Sequence, residues 1–250
     1  MNLQSSKKNW DNLAREDALF VILTYKDKRG GKWGVQDFFN TGIEEVAEDL
    51  AYIKDKGILL RPGKALDFGC GVGRLTQALA HHFDEVTGVD VSSVMIDLAN
   101  TYNQHGNKCI YHASTSNTLG EFSDSYFDFV FSKITLQHIK PMYSTQYIRA
   151  LSRLVAPGGI LYFQLTSAPS EQYIRKSTRL AIKKMLPERV NELLRDMKHR
   201  RTGYVDVFGV PREEVEHILI QSNMIIRDIR PDKSAGDNWH SFVYCAQKQP

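Results

Sequence analysis

From residue 64 onward, short apolar runs alternate with stretches in which apolar residues recur at helical spacing. The alternation predicts five strands with helices between them, since strands of four to six residues and amphipathic helices leave these two patterns. The predicted strands cover residues 65–67, 86–89, 109–113, 127–131 and 160–165. Repeated strand–helix units predict a doubly wound α/β fold with a mostly parallel sheet, whose ligands bind at the carboxyl ends of the strands.

The first 60 residues carry helical patterns instead and predict a helical cap. A first helix has apolar residues near one face. A capping box at residues 41–44 predicts the start of a second helix, and Gly57 predicts its end. Residues 26–32 form a basic loop between them. Two groups of residues belong to this cap: Trp10, Leu13, Ala14 and Val21 on the first helix, and the aromatic residues Trp33, Phe38 and Phe39, as core or as ligand contacts.

Residues 166–209 interrupt the alternation of strand and helix. Pro187 divides two predicted helical pieces, and the segment holds ten Lys or Arg residues against five Asp or Glu residues. It is either a solvated helical lid or a lid that helps to hold an anionic substrate. The alternation then resumes with a helix near Pro211 and two last strands at residues 224–229 and 241–247. The apolar face of the second helical piece holds Val190, Leu193, Leu194 and Met197.

Composition limits the class of protein. The chain has 250 residues, of which 42% are hydrophobic and 24% charged, which is typical of a water-soluble globular protein. No apolar run reaches the ~20 residues of a membrane span, and residues 1–8 lack the apolar segment of a signal peptide. Three cysteines, scattered along the chain, are too few for a disulfide framework or a zinc site. We therefore expect a reduced, cytoplasmic protein. A net charge of +3 is too small to indicate nucleic-acid binding.

The most informative stretch is residues 65–76, a strand, a glycine-rich turn and the start of a helix. Glycines at alternate positions remove side chains where a ligand would lie on the backbone, and the helix directs free N–H groups at that ligand. The turn suits a nucleotide-like molecule with a carboxylate or phosphate. It could also merely connect strand to helix. Arg74 stands where the dinucleotide-binding fingerprint requires its third glycine.

A second feature supports a ligand. Asp90 ends the next apolar run, 23 residues after Asp67. A carboxylate at this distance is suited to accept hydrogen bonds from ribose hydroxyls.

At these residues the chain resembles the class I S-adenosylmethionine-dependent methyltransferases. Within the class it is most similar to the type 11 group, small-molecule enzymes related to the C-methylating enzymes of quinone biosynthesis. The resemblance implies a seven-stranded sheet with an antiparallel last strand in residues 61–250, and extra segments at residues 1–60 and 166–209 that roof a substrate pocket. The resemblance rests on residues 136–139 and on four longer segments, which are residues 67–73, 88–92, 127–132 and 155–159.

The resemblance also implies S-adenosylmethionine as cofactor, S-adenosylhomocysteine as product, and a role for each matching residue. The glycines face the methionine part, Asp67 orients their loop, and Asp90 binds both ribose hydroxyls. Val91 or Met95 packs on the adenine, and Ser132 lies near the sulfonium. Many relatives hold the adenine amino group with an acidic residue, for which residues 114–117 offer hydroxyls and carbonyls. The predicted cofactor-binding residues are Asp67, Gly69, Cys70, Gly71, Gly73, Arg74, Asp90, Val91, Met95, Ser114, Thr115 and Ser132.

The predicted function is methyl transfer to a small-molecule acceptor. An anionic acceptor is among the alternatives, and oxygen is favoured over nitrogen or carbon as the acceptor atom. An oxygen acceptor needs a base, and His138 is the candidate. Alternatively, its ring only packs under the lid. Arg74 either contacts a ligand carboxylate or faces solvent.

Two other functions stay open. An RNA methyltransferase would suit the basic lid, but residues 132–135 lack the Pro-Pro motif of enzymes that methylate base amines. A non-catalytic binding or scaffold protein would use the same fold. The sequence leaves the oligomeric state open.

Overall fold

The computed structural model describes residues 3–176, 187, 190 and 205–250. Seven strands form one sheet in the order β3-β2-β1-β4-β5-β7-β6. Strands β1 to β5 pair in parallel, and β7 runs antiparallel between β5 and β6. This confirms the doubly wound sheet with an antiparallel last strand. The strands are β1 (Lys64–Phe68), β2 (Glu85–Asp90), β3 (Cys109–Ala113), β4 (Phe127–Ser132), β5 (Val155–Pro169), β6 (Met224–Asp232) and β7 (Trp239–Lys248).

Helices cover both faces of the sheet. The central strand β4 is apolar on both faces, so each face needs its own helical layer. One layer consists of α5 and α7, and the other includes α2, α3 and α4. The helices are α1 (Leu3–Ile22), α2 (Val35–Asp55), α3 (Arg74–Leu79), α4 (Ser93–Tyr102), α5 (Pro141–Leu154), α6 (Glu171–Lys176) and α7 (Arg212–Gln221).

The second helix of the cap begins earlier than the sequence predicts. Its N-cap is Gly34, so the predicted capping box at residues 41–44 is wrong. Thr41 lies inside α2, and its hydroxyl donates to the Phe38 carbonyl at 2.6 Å instead of capping an N–H group. The extra turns bury Phe38, which is fully inaccessible to solvent. Gly57, with a φ of +72°, follows the helix end as predicted.

Strand β5 is longer than the predicted residues 160–165, because Val155 already pairs with Phe127 and the far end pairs with β7 as far as Pro169. Pro211, near which the sequence predicts a helix, is the N-cap of α7. The aromatic residues of the cap belong to the core, since Trp33 and Phe38 are buried with their rings in edge-to-face contact.

Helix α1 is bent where it lies over the sheet. Asp17 has non-helical backbone angles, and its carboxylate accepts hydrogen bonds from the N–H groups of Phe20, Gly30 and Gly31. It thereby caps the second half of α1 and fixes the basic loop. The two predicted helical pieces of the lid lie outside the described residues. In the part of the chain that is described, no helix is both long and apolar enough to cross a membrane.

Candidate active site

The glycine-rich turn leaves β1 as a tight loop with glycine at every second position, 69, 71 and 73. Gly69 has a φ of +80°, and a Cβ added there would lie 2.1 Å from Thr135. Gly71 has a φ of +53°, and a Cβ there would lie 2.7 Å from Ile22 of α1. Any side chain at either position would therefore strain the backbone and displace a wall of the site.

Asp90 ties this turn to the end of β2. Its carboxylate accepts from the Gly71 N–H at 2.9 Å and from the Ser92 N–H at 2.8 Å. Burial raises the pKa of Asp90, while these N–H groups oppose the shift. Each carboxylate oxygen can accept more than one hydrogen bond, so Asp90 is also suited to accept from hydroxyl groups of a ligand.

A cavity of about 1050 Å³, including its open mouth, lies between the turn, the end of β2 and helix α1. The structure brings most of the predicted site residues together around it. Those that line the cavity are Gly69, Cys70, Gly71, Arg74, Asp90, Val91, Met95, Ser114 and His138.

Four predicted residues lie outside the cavity lining: Asp67, Gly73, Thr115 and Ser132. The Ser132 hydroxyl donates to the Phe68 carbonyl at 2.9 Å and thus joins β4 to β1. Asp67 accepts from the Thr76 hydroxyl at 2.7 Å, which joins β1 to α3. Burial raises the pKa of Asp67 to about 7. These two side chains therefore hold the turn from beneath.

Arg74 is buried at the cavity wall. The solvent-facing alternative is wrong, since only 4% of the residue is exposed. Its guanidinium pairs with Glu45 of α2 at 2.7 Å and donates to the Thr41 hydroxyl at 3.2 Å. Its Nε is buried without a hydrogen-bond partner among the described atoms. Arg74 thus anchors α2 to the start of α3 at the edge of the cavity.

The ion pair of Arg74 is part of a buried charged network that the sequence does not reveal. Lys133, which lines the cavity just after β4, bridges Glu45 at 2.9 Å and Asp49 at 2.8 Å. Asp49 also accepts from Arg230 of β6 at 2.9 Å and from the Tyr162 hydroxyl at 2.6 Å. Burial opposes the charge on Lys133, yet the two carboxylates raise its pKa. Three cationic and two anionic side chains give the charged network a surplus of one positive charge.

The turn after β4 forms the wall opposite the glycines. Ile134 has a φ of +55°, a strained backbone conformation for a β-branched residue. Its N–H donates to the Gln164 side-chain oxygen at 3.1 Å. Such strain costs about 1–3 kcal/mol and persists where its surroundings enforce it, most often at functional sites. No sequence signal marks Gln164, which lies in the middle of a buried strand.

His138 ends the 3₁₀ turn Leu136–His138 at the cavity wall. Its Nδ1 lies 2.9 Å from the Asp206 carbonyl oxygen, and its Nε2 lies 3.2 Å from the Gln137 amide nitrogen. Burial lowers the pKa of His138, so the ring is neutral at pH 7. The indole of Trp10 in α1 contacts the imidazole edge to face, with ring centroids 5.7 Å apart.

Helix α1 supplies the roof of the cavity through Ser6, Trp10, Val21 and Ile22. It is fixed to the start of α4 by Asp11, which accepts from the Ser92 hydroxyl at 2.6 Å. Lys7 and the Ser92 hydroxyl lower the pKa of Asp11 and outweigh its desolvation. Because Ser92 also donates its N–H to Asp90, the roof and the candidate ribose carboxylate share one residue.

Comparison with known proteins finds similarity to methyltransferases. A family model described as a methyltransferase domain matches residues 66–163. The ubiquinone biosynthesis O-methyltransferase of Nitrosospira multiformis is 30% identical over 126 residues, which are 50% of this chain and 52% of that protein. The Pseudomonas putida enzyme of the same name is 29% identical over 60% of this chain and 64% of its own length. The chain thus spans about half to two thirds of these relatives.

Solved structures agree on the fold. A magnesium protoporphyrin IX methyltransferase from Synechocystis with bound S-adenosylhomocysteine superposes with a TM-score of 0.65, covering 99% of both chains at 18% identity. An S-adenosylmethionine-dependent methyltransferase from Methanosarcina mazei gives a TM-score of 0.59, with 77% of this chain and 95% of that chain covered at 24% identity. Residues 66–163 thus match a methyltransferase domain, and these two solved structures show that the chain has the fold of S-adenosylmethionine-dependent methyltransferases.

Proposed function

We propose that the protein transfers a methyl group from S-adenosylmethionine to a small-molecule acceptor and releases S-adenosylhomocysteine. The observation that carries the proposal is the glycine-rich turn joined to Asp90, with Val91, Met95 and Ser114 lining the same cavity. Such a site fits a ribose on Asp90 and an adenine among the residues that follow. The presence of S-adenosylhomocysteine in the Synechocystis structure supports this assignment.

The charged network supports an anionic group of the ligand at the edge of the cavity. Arg74 and Lys133 line it, the network has a surplus positive charge, and the Arg74 Nε lacks a partner among the described atoms. A carboxylate in this position would add the missing negative charge. The methionine part of the cofactor carries such a carboxylate, as would an anionic acceptor.

The main contribution of the protein to catalysis is to align the acceptor with the methyl group. When bound, S-adenosylmethionine supplies a methyl group on a sulfonium, which is already an activated electrophile. The walls formed by the glycine turn, the turn after β4 and α1 exclude water and hold the acceptor in line with that methyl group. We propose that residues 1–60 act as a cap and residues 166–209 as a lid over the acceptor, in a cytoplasmic protein.

Oxygen is the favoured acceptor atom, and His138 is the candidate base. The curated relatives are named O-methyltransferases. A base must take the hydroxyl proton as the oxygen bonds to the methyl carbon and the sulfur keeps the electron pair of the broken bond. A neutral imidazole at the cavity wall can hold that proton. The basic segment that would favour RNA lies largely outside the described residues, and nothing in the described part adds to that alternative.

Calorimetric titration with S-adenosylhomocysteine tests the cofactor site. We expect the wild-type protein to bind it and Asp90→Ala to bind about ten- to hundredfold more weakly, since hydrogen bonds to a charged group contribute about 1.5–3 kcal/mol. Asp97→Ala, an exposed carboxylate on α4, is the control and should bind like the wild type. No binding by the wild type would contradict the proposed function. Binding without turnover of any acceptor would favour the scaffold alternative.

A further inference from the structure

The hydrogen bond of His138 to the main chain determines which ring nitrogen carries its proton. The Asp206 carbonyl oxygen, 2.9 Å from Nδ1, can only accept a hydrogen bond. Nδ1 must therefore carry the hydrogen. In a neutral ring, Nε2 is then the unprotonated, basic nitrogen.

A second chain of hydrogen bonds reaches the same ring from the opposite direction. The Ile134 N–H can only donate, so the Gln164 atom 3.1 Å away is the amide oxygen. The Gln164 nitrogen then donates to the Gln137 oxygen at 3.0 Å and to the Ser241 hydroxyl at 2.6 Å. The Gln137 nitrogen is thereby directed at His138 Nε2, 3.2 Å away. A donor at this position requires an acceptor on the ring.

We call Gln164, Gln137 and His138 the amide relay. The hydrogen bonds at its two ends require the same tautomer of His138. The backbone N–H of Ile134 fixes one end, and the backbone carbonyl of Asp206 fixes the other. We infer that Gln137 and Gln164 are positioning residues that hold His138 in the Nδ1–H form, with its basic Nε2 covered by the Gln137 amide. Both glutamine side chains are buried, at 4% and 0% exposure, so water does not compete for these hydrogen bonds.

The same residues join the turn after β4 to residues 206–210 at the far side of the lid segment. The Phe208 N–H donates to the Gln137 carbonyl oxygen at 2.7 Å, and the Val210 N–H donates to the Thr166 carbonyl oxygen at 3.0 Å. The Thr166 hydroxyl donates to the Phe208 carbonyl. The amide relay therefore fixes both the ring of His138 and the chain that contacts it.

The inference makes the proposed function more specific and rests on it only for the base role of His138. An acceptor hydroxyl reaches the lone pair of Nε2 only by displacing the Gln137 amide. Protonation of Nε2 would also set two N–H donors against each other, unless Gln137 turned over and broke its bond to Gln164. The amide relay therefore favours the neutral ring until an acceptor hydroxyl takes the position of the Gln137 amide.

Nitrogen NMR of the full chain labelled with ¹⁵N-histidine tests the tautomer without requiring activity. His138→Asn assigns the signals among the eight histidines of the chain. In the wild type at pH 7 we expect a protonated Nδ1 and an unprotonated, hydrogen-bonded Nε2. The opposite tautomer, or a rapidly exchanging mixture of both, would overturn the inference.

Variants of the amide relay test the role of the glutamines. Gln137→Glu replaces the donor by a carboxylate, so Nε2 should become protonated and the pKa of His138 should rise by about one to three pH units. The described groups around the ring are the Trp10 indole and the Asp206 carboxylate, and the second already acts to raise this pKa. Gln164→Met should leave Gln137 free to turn and shift the Nε2 signal.

Gln77→Met is the matched control. Gln77 is also a buried amide, bonded to the Tyr102 carbonyl and the Gln104 N–H, and has no place in the relay. It should leave the His138 signals unchanged. If Gln137→Glu and Gln164→Met both gave wild-type signals, the positioning role would be refuted. If the signals moved as expected but the acidic limb of the kcat/KM profile of Gln137→Glu did not follow the pKa of His138, the base role would fail and the relay would stand.

Discussion

Two buried polar networks flank the turn after β4, and they stabilise it by different means. On one side Lys133 joins the charged network of Glu45, Asp49, Arg74 and Arg230. On the other side Ile134 joins the neutral amide relay. The first connects α2 to the cavity, and the second connects β5 and β7 to it. Two adjacent residues, Lys133 and Ile134, thus belong to two different networks, one stabilised by charge and the other by the direction of its hydrogen bonds.

The comparison shows what each kind of contact supplies. Ion pairs between long side chains tolerate variation in geometry, but each buried charge must be compensated by another. Amide hydrogen bonds carry less energy but have a direction, so a string of them transmits orientation from one end to the other. The charged network is therefore suited to hold α2 on the sheet, and the amide relay to fix the state of one ring.

The largest effect should follow from removing a shared charge. Asp49→Ala removes the carboxylate that the buried Lys133 shares with the partly exposed Arg230. Glu45 alone must then compensate both Lys133 and Arg74, which should lower the free energy of unfolding by about 3–5 kcal/mol. Urea denaturation measures it. Glu216→Ala, which breaks the exposed ion pair with Arg212 on α7, should cost no more than about 0.5 kcal/mol. Equal costs for the two variants would show that burial does not distinguish these ion pairs.

A smaller loss is expected from the neutral side. Gln164→Met removes the acceptor of the Ile134 N–H and the donor to Gln137, and should lower the free energy of unfolding by about 1–3 kcal/mol. Gln77→Met removes a buried amide that holds no strained residue. Gln77→Met should cost less than Gln164→Met. In Gln164→Met, the strained backbone of Ile134 loses the hydrogen bond that stabilises it, and Gln77→Met has no such additional cost. A larger cost for Gln77→Met than for Gln164→Met would contradict the proposal that Gln164 stabilises the strained backbone of Ile134.

The smallest effect should come from pH. Burial would raise the pKa of Glu45, but Arg74 and Lys133 outweigh it and lower the pKa below the usual value near 4.5. The folded state then binds this proton less readily than the unfolded state. The stabilising effect is present above about pH 4.5 and is lost as the pH falls through the folded-state pKa. The stability difference between wild type and Glu45→Gln should therefore shrink from pH 7 to pH 3. A difference that stays constant would refute the assignment.

Most of the fold and about half of the candidate site could be predicted from the sequence, because they depend on residues that are close together in the chain. The apolar runs mark the strands, and the glycines and Asp90 lie within 22 residues of one another. The charged network and the roof depend on partners that are 84 and 81 residues apart, as in Lys133 with Asp49 and Ser92 with Asp11. A single sequence carries no signal for such pairings. Arg74 illustrates the limit, since its partner Glu45 lies on a helix whose start the local pattern misplaces.

The position of β7 has a consequence for synthesis of the chain. This strand contains some of the last residues of the sequence, yet it lies between β5 and β6 and pairs with both. While the ribosome is still adding residues 224–238, β5 has an unpaired edge and β6 has no neighbour to join. An exposed edge of this length is a place where nascent chains pair with one another. The sheet is therefore complete only after residues 239–248 are synthesised. A chain that ends before them would leave the ribosome with the edge of β5 unpaired.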